Sequence, residues 1–95
     1  MEDLNKIPKK NKNLAWRIID GEAVIIPLEK QLKENEAINI LNQTATRIWQ
    51  LCNGKNTIRE VIAQLKQEYA AGSKEIESAV QRLIQELMQQ KLITI

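Results

Sequence analysis

The 95-residue chain contains no histidine and only one cysteine. It therefore has no imidazole to act as a base or metal ligand, and a single thiolate cannot build a zinc site. Cys52 cannot close an internal disulfide; it falls on the apolar side of a helical pattern, where a free cysteine behaves as a small hydrophobe. Glycine is equally sparse: Gly21, Gly54 and Gly72 stand apart, each at a turn or helix stop, so no phosphate loop or dinucleotide fingerprint is present. No apolar run approaches the roughly 20 residues that span a bilayer, and no membrane association is expected. Residues 1–13 carry Lys6, Lys9, Lys10 and Lys12 without the apolar stretch of a secretory signal, which predicts a flexible polar tail and a cytoplasmic protein. The net charge is +2, and with those lysines set aside the remainder is nearly neutral, without the basic face of a nucleic-acid binder.

The carboxylates offer no catalytic pair. Glu75 and Glu77, two residues apart on a helical pattern, project in different directions, and most other acidic residues fall in caps or on polar helix faces. The aromatic residues Trp16, Trp49 and Tyr69 lie on three separate segments at apolar phases, which reads as core packing rather than as a base-stacking platform. No enzymatic activity and no cofactor are expected.

What the chain does contain suits one soluble α+β domain: 43% hydrophobic and 27% charged residues, enough for a single core. Its centre is Glu36 to Thr57. There the strand-like run Ala37, Ile38, Asn39, Ile40 and Leu41 meets Asn42, whose side chain suits a helix N-cap. Ala45, Ile48, Trp49 and Cys52 then recur at helical spacing, with Leu51 widening the face, and Asn53–Gly54 marks the stop. Thr57 and Glu60 form a capping-box pattern before Ile58, Val61, Ile62, Leu65 and Tyr69, a second amphipathic helix. Ser73 is read as the cap of a third, running to about Gln90, whose apolar stripe of Ile76, Ala79, Val80, Leu83, Ile84, Leu87 and Met88 is wider than one small core needs.

Upstream, two apolar runs from Leu14 to Leu28 flank Asp20–Gly21, a pair suited to a two-residue hairpin turn. The alternation places Trp16, Ile18, Val24 and Ile26 on one face, and Pro27 should end the second strand. Leu28 to Asn35 fits either a loop or a helical turn. Leu92 to Ile95 is a short strand or a wing. The expected order is three strands, three helices and a final strand.

The stretch Leu41 to Ile93 resembles the PqqD family of small proteins in pyrroloquinoline quinone biosynthesis and their relatives. The resemblance rests on Leu41–Asn42, Thr44–Ala45, Ile48–Trp49, the break from Gly54 to Thr57, Tyr69, Leu83, Leu87 and Leu92–Ile93, together with the upstream Trp16 and Asp20–Gly21. It covers about residues 14–95. Two departures stand out: Lys91 replaces a frequent glycine, and Glu29 to Glu36 lacks glycine.

The resemblance implies a winged-helix-like domain of three antiparallel strands and three helices. It further implies a non-catalytic, stand-alone recognition element, monomer or weak homodimer, for the leader of a ribosomally made precursor peptide. The leader would lie as an added strand between the third strand and third helix and be delivered to a modifying enzyme, a radical S-adenosylmethionine protein or a leader peptidase. Carried over position by position, the groove comprises Ala37, Ile38, Asn39, Ile40, Leu41, Glu75, Ser78, Ala79, Arg82, Leu83 and Glu86. On residue type alone Arg82 is either solvated or a contact for a carboxylate. Two competing readings are a winged-helix DNA binder and a structural subunit of a complex. The former meets a third helix with one arginine amid Glu68, Glu75, Glu77 and Glu86.

Overall fold

The computed structural model describes residues 3–28, 39–70 and 72–95. Its elements are β1 (Lys9–Lys10), β2 (Leu14–Ile19), β3 (Glu22–Pro27), β4 (Asn39–Ile40), α1 (Gln43–Leu51), α2 (Ile58–Glu68), α3 (Ser73–Gln89) and β5 (Ile93–Thr94). Strands β2, β3 and β4 form an antiparallel sheet in that order, and β1 pairs antiparallel with β5. The three-stranded sheet, three helices and C-terminal strand agree with the α+β, winged-helix-like expectation. Leu28 to Asn35 lies, apart from Leu28, outside the described residues.

Local chemistry fixes most boundaries. Asn42 caps α1 by accepting the Ala45 N–H at 2.8 Å. Thr57 and Glu60 form the reciprocal capping box of α2, with bonds of 3.1 and 2.7 Å. Helix α3 departs from the sequence reading, because its N-cap is Gly72 and Ser73 is already helical, with no side-chain cap bond. The end of α3 is a Schellman motif: Leu92 N–H donates to Leu87 O at 2.8 Å and Lys91 N–H to Met88 O at 3.0 Å. Lys91 takes the left-handed conformation there, φ 64°, which explains why glycine suits that position.

The hairpin turn at Asp20 (φ 52°) and Gly21 (φ 81°) has positive φ at both residues, which matches the strand twist. Its register corrects the expected face. Ile19 pairs with Glu22, so Trp16 lies opposite Ile25 and Ile18 opposite Ala23. The core face thus holds Trp16 and Ile18 with Ala23 and Ile25, whereas Val24 and Ile26 occupy the other face. Ala23 and Ile25 are fully buried, in one cluster with Ile48, Trp49, Cys52, Ile58, Val61, Leu65, Val80, Ile84 and Leu87.

Trp49 is completely buried and meets Trp16 edge to face, ring centroids 5.8 Å apart. Trp16 itself remains 40% exposed and Tyr69 37%, so the expectation of three core aromatics holds fully only for Trp49. Lys10 Nζ sits 5.0 Å from both indole centroids and donates to Cys52 O at 3.0 Å. Such placement gives the ammonium cation–π and carbonyl contacts in partial exchange for water. Its pKa is lowered, chiefly by burial.

Residues 3–13 do not form the free tail that composition suggests. Leu4 packs against the core and Pro8 is buried. The carbonyls of Leu4 and Lys6 accept the N–H groups of Arg59 and Ile58 at 2.9 Å each, satisfying donors that the first turn of α2 leaves free. Lys9 pairs with Thr94, and Lys10 with Ile93.

Candidate functional site

Among the described residues strand β4 lies at the edge of its sheet. Its inner side is tied to β3 through the pairs Val24 with Ile40 and Ile25 with Asn39, and Leu41 N–H donates to Ala23 O at 2.9 Å. Since N–H directions alternate along a strand, the backbone N–H and C=O of Ile40 point to the outer edge, away from β3. An edge of this kind leaves groups that an extended chain can satisfy.

Beyond β4 the chain turns at Asn42 into α1, whose first residues border an open cavity of about 250 Å3. Its lining comes from three helices: Thr44 and Ile48 of α1, Leu65 of α2 with Tyr69 at its C-cap, and Glu75, Ile76 and Ala79 of α3. Ile48, Leu65 and Ile76 are buried and make an apolar floor, while Thr44, Tyr69, Glu75 and Ala79 are exposed at the rim. The arrangement can receive an apolar side chain and offer it a phenol and a carboxylate at the mouth. Beside it, Arg47 and Glu68 form a two-point ion pair, Nε to Oε1 at 2.8 Å and Nη2 to Oε2 at 2.7 Å, joining α1 to the end of α2. The Arg47 bonds, with help from Gln64, hold the Glu68 carboxyl down at a pKa of about 2.

The residues singled out from sequence are only partly gathered here. Glu75 and Ala79 line the cavity; Ser78, Arg82 and Glu86 are exposed on α3, and Leu83 packs against the core. Asn39 and Ile40 form β4, but Leu41 directs both its N–H and its side chain inward. Ala37 and Ile38 lie outside the described residues. Thr44, Ile48, Leu65, Tyr69 and Ile76 were not among the groove residues read from the sequence; a tyrosine closing an otherwise aliphatic helix face was the available signal. Cys52 is buried and its thiol is pushed up to about 11 by desolvation, which makes it a poor nucleophile.

The model of the family described as coenzyme PQQ synthesis protein D, PqqD, matches residues 22–93, from the second hairpin strand to β5. The chain belongs to the PqqD family. No curated protein matches it. Among solved structures, TbiB1 in complex with the TbiA(beta) leader peptide is similar, with a TM-score of 0.76 and 20% identity over 90% of this chain and 93% of that one. At that identity the likeness is one of fold. The family match begins after β2, so the PqqD-like part holds the β4 edge and the whole cavity, while β1 and β2 lie outside it.

Proposed function

We propose that this chain is a non-catalytic recognition element that binds the leader of a ribosomally made precursor peptide and presents it to a peptide-modifying enzyme. The observation that carries this reading is the β4 edge, unpaired on its outer side among the described residues, followed through Asn42 by α1 and an apolar cavity at the three-helix junction. A peptide added as a strand gains affinity from backbone pairing, and its alternate side chains supply selection. The outward N–H and C=O of Ile40 would take the backbone bonds. Glu75 and Ala79, with Tyr69 and Thr44, would receive a leader side chain, and Ser78, Arg82 and Glu86, exposed on the same helix, would make polar contacts. Family membership and the leader peptide bound to TbiB1 support the same role. A radical S-adenosylmethionine enzyme or a leader peptidase would then act on the peptide held in place.

A short precursor peptide should be encoded near the gene, and the test is a nuclear magnetic resonance titration with its leader segment. Amide shifts should move at Asn39, Ile40, Thr44, Glu75 and Ala79. Movement confined to β2 or to the C-terminal strand would place the peptide elsewhere and overturn this site.

A further inference from the structure

The side chains at the mouth of the three-helix cavity bring oxygen and no nitrogen. Thr44, Tyr69, Glu75 and Ala79 form the exposed rim, above a buried floor of Ile48, Leu65 and Ile76. Glu75 is the one charged residue in this lining. Among the described residues it enters no ion pair, because the cations that reach from one helix to another are engaged elsewhere: Arg47 by Glu68 at 2.7 Å and Lys66 by Glu77 at 3.0 Å. Glu75 lies in the first turn of α3, and its Oε1 stands 3.7 Å from the point that a Cβ on Gly72, the N-cap, would occupy. The positive end of the helix dipole suits a negative charge at that place.

We propose that the leader side chain seated in this cavity is a lysine or an arginine. The inference rests on the leader-binding reading above and adds to it the class of residue that the cavity selects. Other side chains match only part of the lining. A leucine or phenylalanine covers the apolar floor but strips water from the Glu75 carboxylate and gives nothing in return. A tyrosine donates one neutral hydrogen bond and leaves the charge uncompensated, and an aspartate or glutamate meets a charge of its own sign. A lysine or arginine satisfies both halves at once. Its methylene stem lies along Ile48, Leu65 and Ile76, while its cationic head stays at the wet mouth, where Glu75 pairs with it and the hydroxyls of Thr44 and Tyr69 accept its remaining donors.

The experiment uses a displayed library of random peptides selected on the intact protein. Enriched sequences should align on one column held by lysine or arginine, and a selected peptide should move the amides of Ile40, Thr44, Glu75 and Ala79. Norleucine in place of a lysine in that column keeps the stem and removes the charge, and should weaken binding about fivefold, as expected for an ion pair at a solvent-open mouth. Glu75→Gln should bring the lysine and norleucine peptides to equal affinity. Glu75→Lys should reverse the preference, so that glutamate in the column binds better than lysine. Both variants change an exposed position and should keep the parent's circular dichroism spectrum. The proposal alone is overturned, with leader binding intact, if peptides that move these amides carry an aromatic or aliphatic residue in the column, if norleucine binds as well as lysine, or if Glu75→Gln keeps the parent's preference. A folded parent that selects no peptide, or selects peptides that leave these amides unmoved, overturns the leader site and this proposal together.

Discussion

The hydroxyl of Thr46 accepts the backbone N–H of Ala23 at 2.7 Å and donates to Leu41 O at 3.1 Å. One buried side chain of α1 thereby fastens the middle strand of the sheet and the exit of its edge strand. The β4 edge is held where α1 begins, and the cavity opens beside the same helix.

Thr46→Val keeps the shape but leaves the Ala23 N–H buried without an acceptor. The expected loss is about 1 to 3 kcal/mol, read as a lower denaturation midpoint at unchanged m-value. A midpoint equal to the parent's would show that Ala23 finds another partner.

Trp49→Ala removes the largest fully buried side chain and the edge contact with Trp16. Its cost should be about 3 to 5 kcal/mol, a large part of the roughly 5 to 15 available to a domain. Thermal unfolding within a few degrees of the parent would contradict this packing.

Lys91→Gly should stabilise the protein by about 1 kcal/mol. The Schellman bonds persist while the strain of a side chain at positive φ is removed. Urea unfolding checks the sign, and a destabilised variant would mean that the lysine side chain outweighs the strain.

The Arg47–Glu68 pair predicts a small acid-sensitive contribution. The folded carboxyl titrates at about 2, below the ~4.3 of a free glutamate, so its stabilisation is present above that higher value and is lost as pH falls toward 2. Both groups are about a third exposed, which limits the effect to about 1 kcal/mol or less. Glu68→Gln should flatten the dependence of stability on pH over that interval, and an unaltered slope would show that the pair is not formed in solution.

Features that depend on nearest neighbours were legible in the sequence. The Asn42 cap, the Thr57–Glu60 box and the Asp20–Gly21 turn are local hydrogen-bonding and φ requirements, and the helical phases of Ile48, Trp49, Val61 and Leu65 follow from burial. The face of the hairpin was legible in principle: closing a two-residue turn at Ile19 and Glu22 places even positions of β2 with odd positions of β3. The pairing of Lys9–Lys10 with Ile93–Thr94 was not, because it joins opposite ends of the chain and lysines carry no strand signal of their own. The cavity was only half legible for a similar reason. Glu75 and Ala79 came from the resemblance, whereas Tyr69 and Thr44 reach the rim through packing among three helices.

The central claim, peptide addition to the outer edge of β4, is tested most directly by calorimetric titration of the leader that binds the parent protein into a pair of proline variants. Leu41→Pro removes the N–H that bonds Ala23 and should damage folding, whereas Ile40→Pro removes the outward donor. The account predicts that Ile40→Pro keeps the parent's helical signal and melting temperature but binds the leader about tenfold more weakly or worse, the loss of one backbone bond and its neighbours. A folded Ile40→Pro protein with the parent's affinity would contradict it.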